Sequence, residues 1–225
     1  MFTNFIPNMS RVLSKYWGLF LQGAGYTLLL SFITVLFGTV LGSLLALMRR
    51  SKHKAVSGVA TGYVEVIRGT PLLLQLYLFY FMLPDLLPML NLSKFACVSI
   101  ALVINSSAYV CEVVRAGIQA VDYGQTEAAR SLGLNARQTM LRIVMPQAIK
   151  NILPALGNEF VTVIKETSLA STFFVGDLMT QYATVRGSMY LVIEPLVVVG
   201  VIYFVLTFTL SKAVNAFERR LKVSD

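Results

Sequence analysis

The feature that most constrains this chain is a series of long apolar runs separated by polar breaks and basic clusters, at about 19–48, 57–84, 95–121, 146–165 and 194–216. Hydrocarbon offers backbone N–H and C=O groups no water, so runs of this length are read as helices that bond internally. A hydrophobic share of 56%, a charged share of 13% and a mean hydropathy of +0.70 exclude an ordinary soluble domain. The formal net charge of +8 does not point to nucleic acid, because the basic residues fall beside apolar runs. Arg49, Arg50, Lys52 and Lys54 follow the first run, and Arg219, Arg220 and Lys222 follow the last. The positive-inside rule puts both clusters in the cytoplasm. The expectation is an all-α membrane protein: one transmembrane domain over 1–225, five transmembrane helices, N-terminus outside and C-terminus in the cytoplasm.

Within that plan the first 18 or so residues read as a short amphipathic helix at the interface, anchored by Tyr16 and Trp17, with no removable signal peptide. Gly23, Gly25, Gly38 and Gly42 lie along the first run, and Gly38 with Gly42 has a small-xxx-small spacing that suits either close helix packing or ordinary membrane-helix composition. Glu65 and Arg68 are three apart and are expected to pair beside a kink or break at Pro71. The fourth run is the weakest, interrupted by Asn151, Pro154 and Glu159, as for a helix facing protein or a wet path. Residues 166–191 read as an external connection holding a short helix around 175–182. Cys97 and Cys111, about 20 Å apart along one helix, read as buried apolar residues.

The longest polar-rich interval, 122–145, carries helix punctuation at both ends. Gln125 or Thr126 is expected to cap a short helix with Glu127 in its first turn, and Gly133 to end it in the left-handed conformation. Asn135 and Gln138 have the spacing of a capping box that starts a second helix. Ala128, Ala129, Leu132 and Leu134 offer a small apolar face suited to a groove.

Several chemistries are missing. There is no Gly-Lys pair and so no Walker A loop; the single histidine, His53, lies in a basic loop; no cluster has metal-ligand spacing. No catalytic residue, metal or nucleic-acid partner is expected.

Glu127-Ala128-Ala129, then Gly133, Ile143 and Met145-Pro146, resembles the cytoplasmic EAA loop of ABC importer permeases, with Met145 where leucine is common. The segments 25–28, 64–73, 108–118 and 164–169 are similar to the polar amino acid uptake branch, the histidine, glutamine and arginine type; Glu166 stands at that branch's acidic position. The resemblance implies a type I importer permease fold in the bacterial cytoplasmic (inner) membrane. Its coupling helix, carrying Glu127, Ala128, Ala129 and Gly133, would sit in a groove of a separate ABC ATPase dimer that binds ATP and Mg, with no cofactor in this chain. Further implied partners are a second permease subunit, identical or a sister, an extracytoplasmic solute-binding protein and an amino acid substrate.

A zwitterion needs a cation for its carboxylate and an acceptor for its ammonium. Arg115 and Glu166 are the leading pair, with Asn105, Ser106, Tyr109, Lys165, Thr167 and Ser168 in support. The plainer alternative pairs Glu112 with Arg115 along one helix face and lets Lys165 snorkel. Two rival functions remain: a gradient-driven transporter or channel using Glu112 and Glu159, disfavoured by five spans without an inverted repeat, and a non-transporting scaffold.

Overall fold

The computed structural model describes residues 4–222. Every regular element among them is helical: α1 (Phe5–Arg49), α2 (Lys54–Gly69), α3 (Leu72–Leu86), α4 (Lys94–Gln119), α5 (Tyr123–Ser131), α6 (Ala136–Thr139), α7 (Met145–Glu166), α8 (Leu178–Met189) and α9 (Ile193–Lys222), with 3₁₀ turns at Pro88–Leu90 and Thr167–Phe173 and a π turn at Met140–Val144. Of these, α1, α4 and α9 are long and apolar enough to cross a membrane, and α2 with α3 qualifies only as a broken pair. The fourth expected span, α7, is not among them; Lys150, Glu159 and Lys165 lower its hydropathy.

The chain forms two compact units. Of the described residues, the first comprises 4–34, 71–103 and 160–210. Here the structure departs from the interfacial helix expected at the N-terminus, of which residues 1–3 lie outside the described residues. Residues 5–18 run without a break into the first apolar run, giving a 45-residue helix about 67 Å long. Tertiary packing accounts for the difference. Val12 and Phe20 are fully buried against Leu178, Val185 and Val199, so this face of α1 is covered by α8 and α9 instead of by headgroups. A second cluster joins Leu30, Leu76, Leu102 and Phe173, and the Phe173 ring meets Tyr77 and Tyr80 at centroid distances of 5.0 and 4.6 Å. The short helix expected around 175–182 starts later and runs longer, as α8, because Asp177 caps it by accepting from the Met179 amide at 3.0 Å.

Of the described residues, 35–70, 104–159 and 211–222 form the second unit. Its core holds Leu45, Ala60, Val64, Ala108 and Cys111. The glycine spacing of α1 is a packing seam. A Cβ on Gly42 would stand 2.6 Å from the Ser107 carbonyl oxygen and 2.7 Å from Val110 Cβ, so only glycine admits α4 this closely. After α1 ends, the Ser57 hydroxyl donates to the Arg49 carbonyl at 2.9 Å, satisfying one of its orphan acceptors. Pro71 breaks the second run as expected. Thr70 before it is extended, at φ −117° and ψ 145°, and its hydroxyl donates to the Val66 carbonyl at 2.9 Å, so α2 ends at Gly69 and a new helix begins at Leu72.

Candidate functional site

The polar interval folds as helix, turn, helix within the second unit. Its start differs from expectation: α5 begins at Tyr123, and the cap is Asp122, whose carboxylate accepts from the Gly124 amide at 2.6 Å. Glu127 therefore sits in mid-helix and not in the first turn. The local signal was present, since aspartate is among the strongest N-caps and Gln125 follows it at a capping-box spacing. The end of α5 matches expectation. Gly133 has φ +85°, its amide donates to the Arg130 carbonyl at 3.0 Å, and the Leu134 amide donates to the Ala129 carbonyl at 3.1 Å. Those two bonds are a full Schellman motif. Asn135 and Gln138 then exchange two bonds of 2.9 Å, the expected capping box. A π turn follows, and Pro146 supplies its cause: without an N–H it cannot bond the carbonyl four residues back, and its ring crowds that carbonyl.

The apolar face expected on α5 is split. Ala129 is buried and Leu134 half-buried, whereas Ala128 and Leu132 are exposed. The outward surface is Tyr123, Glu127 and Arg130, a stripe at helical spacing. α5 is thus capped at both ends, joined to α6 and exposed along one face.

A charge node lies in the same unit. Glu112 on α4 takes Arg49 from the end of α1 on one carboxylate oxygen, with Arg68 from the last turn of α2 3.7 Å away. Its other oxygen accepts from Arg115 Nε at 2.8 Å and Nη2 at 2.6 Å. One carboxylate thus ties α1, α2 and α4 together. Arg68 also lies 5.5 Å from the Tyr109 ring centroid. The expected Glu65–Arg68 pair does not form. Glu65 is exposed while Arg68 turns to Glu112, since an acceptor already desolvated by packing binds a cation more strongly than one in solvent.

Toward the middle of α4, Asn105 and Ser106 are buried. The Ser106 hydroxyl donates to Glu159 on α7 at 2.9 Å, and the Tyr63 hydroxyl lies 2.8 Å from Ser107 Oγ and 2.9 Å from the Ile104 carbonyl. From sequence Glu159 is expected only in the rival gradient-driven reading and not among the substrate-path residues; its place in an apolar run is the signal. Arg115 belongs to this second unit with its guanidinium held by Glu112 and by Gln119 at 2.6 Å, whereas Glu166 belongs to the first. In the first unit Lys165 is exposed and Glu166 half-buried at the end of α7, and Thr167 is buried, donating to the Ile164 carbonyl at 2.7 Å. Ser168 offers its carbonyl to the Ser171 hydroxyl at 2.7 Å. Asp177, between Phe173 and α8, is fully buried, and burial pushes its carboxyl above the usual carboxylate range despite hydrogen bonds from Thr180 and the Met179 amide. No cluster of metal-ligating side chains occurs among the described residues.

Comparison with known proteins gives a consistent result. The family model for the binding-protein-dependent transport system inner membrane component matches residues 38–223. The chain is 40% identical over 205 residues to the arginine transport system permease protein ArtQ of Bacillus subtilis, covering 91% of this chain and 93% of that protein. It is 41% identical over 213 residues to the probable glutamine ABC transporter permease protein GlnM of the same organism, covering 95% and 98%. A crystal structure of an amino acid ABC transporter with histidines superposes with a TM-score of 0.87 at 47% identity, covering 92% of this chain and 96% of that one.

Proposed function

We propose, from the premise that this chain belongs to the inner membrane components of binding-protein-dependent transport systems, that it is the permease half-path of an ATP-driven importer for a polar or charged L-amino acid. It is a multi-pass protein of the bacterial inner membrane with the type I ABC importer permease fold. Its family is a membrane component, with ATP hydrolysis in a separate subunit.

The observation that carries the reading is α5: a helix capped by Asp122, stopped by a Schellman turn and locked to α6, with Tyr123, Glu127 and Arg130 facing outward. In this reading a groove of the ATPase subunit grips α5, and movement of that groove reaches α7 through α6 and the π turn. The chain crosses the bilayer five times with its basic clusters in the cytoplasm, and α7, polar on part of its surface, faces protein and a wet path.

The amino acid is handed along polar side chains. In the second unit the candidate residues are Asn105, Ser106, Tyr109 and Glu159, with Arg115 nearer the C-terminus of α4; in the first unit they are Lys165, Glu166, Thr167 and Ser168. Glu159 and Glu166 accept an ammonium or a basic side chain, and Arg115 and Lys165 answer a carboxylate. A second permease subunit completes the channel, ATP and Mg bind in the ATPase dimer, and a solute-binding protein delivers the substrate.

The test is uptake into proteoliposomes holding the permease, its ATPase and the binding protein. Uptake should require ATP and the binding protein and be indifferent to an imposed ion gradient. Uptake driven by the gradient without ATP would instead establish the secondary-transporter reading.

A further inference from the structure

Glu194 stands in the first turn of α9 with 8% of its surface exposed. Burying a carboxylate this deeply requires partners that replace its water. One oxygen accepts from Asn8 Nδ2 at 3.1 Å, and no cationic side chain lies within 4.0 Å among the described residues. In a protein of formal net charge +8, this is a buried acid that meets no cationic side chain among the described residues. It opens on a cavity of about 310 Å³ whose polar lining is Asn4, Asn8, Tyr190 and Glu194.

The rim has a different character. Tyr190 is 92% exposed and is held by a left-handed backbone, φ 54°, which a non-glycine residue adopts at a cost; Val192 beside it is 54% exposed. The cavity thus sets a buried acid beside two exposed apolar side chains, Tyr190 and Val192. Among the described residues the lining supplies an acid and amide groups but no cation. A free amino acid would find hydrogen-bond donors there but no charge for its carboxylate, whereas a lone ammonium or guanidinium would meet the Glu194 carboxyl.

We propose that this cavity is a docking socket for a lysine or arginine side chain of the extracytoplasmic solute-binding protein, with Glu194 as counter-ion and the Tyr190 ring along the aliphatic stem. The proposal rests on the importer reading and on the N-terminus lying outside.

The experiment measures affinity of the binding protein for the assembled permease–ATPase complex in nanodiscs, across a salt series, for wild type, Glu194→Gln, Glu194→Asp and Tyr190→Ala. The Glu194→Gln variant should bind about tenfold more weakly and lose most of the salt dependence, with ATPase activity in the absence of binding protein unchanged. Glu194→Asp should recover part of both. Tyr190→Ala, at a fully exposed position that folding tolerates, should also weaken binding and so carries the test if Glu194→Gln fails to assemble. Wild-type affinity in either Tyr190→Ala or Glu194→Gln would overturn the socket, as would weakening in Glu194→Gln that keeps the wild-type salt dependence; uptake that persists in those variants would leave the importer reading intact. A wild-type complex that hydrolyses ATP yet never binds the protein would overturn both.

Discussion

Replacing Gly133 isolates the role of the turn between α5 and α6 from that of side-chain packing. An added Cβ at Gly133 meets nothing within 4 Å, so no steric clash with neighbours enters. The whole effect comes from φ +85°, where an L-residue pays roughly 1–2 kcal/mol and a β-branched one the upper end of that range or more. At about 2 kcal/mol, the ratio of the Schellman geometry to alternative turns falls about 30-fold. Global stability should hardly change, because Gly133 is exposed and α5 contributes only Ala129 to the buried interior. Gly133→Val is therefore expected to insert and assemble normally while substrate-stimulated ATPase activity and uptake collapse. Gly133→Asn, whose side chain tolerates the left-handed region, should retain most coupling. The assay is ATP-dependent uptake in proteoliposomes, normalised to permease content, beside the thermal transition of the purified complex. Uptake by Gly133→Val at the wild-type rate would refute the coupling argument, and so would equal loss in the valine and asparagine variants.

Two further predictions concern the second unit. Gly42→Ala drives a Cβ to 2.6 Å from the Ser107 oxygen and should cost about 1–3 kcal/mol, lowering the thermal transition in detergent, whereas Gly25→Ala, with nothing within 4 Å, should be neutral or slightly stabilising. Glu112→Gln leaves Arg49, Arg68 and Arg115 without their shared anion. Because Arg68 and Arg115 are half-exposed and screened by solvent, the expected loss is only about 1–2 kcal/mol, carried mainly by Arg49 and reduced in Arg49→Gln/Glu112→Gln relative to the sum of the single variants.

Local punctuation was legible wherever the partners lie within one turn of each other. Gly133 as the stop and Asn135 with Gln138 as the box follow from hydrogen bonds spanning three to five residues, and the structure has them as expected. Asp122 carries an equally good local signal, but placing Glu127 in the first turn, where the dipole favours it, shifts the expected cap to Gln125 or Thr126. Elsewhere local reasoning failed for a different cause. Glu65 and Arg68 satisfy the i, i+3 rule, yet Arg68 found Glu112; residues 5–18 have the marks of an interfacial helix, yet α8 and α9 cover their apolar face.

The sequence by itself determined the class of solvent, the helical character, the Gly133 stop, the Asn135–Gln138 box, the Pro71 break and the family. Each of these depends on composition or on chemistry between near neighbours. Only the tertiary structure decided which polar groups meet: Glu112 takes Arg49 across 63 residues, and Glu194 takes Asn8 across 186. It likewise decided that Gly42 is a seam against α4 while Gly25 faces nothing. Helical periodicity gives each residue a face but does not name the helix opposite, and that choice belongs to the packing of the whole chain.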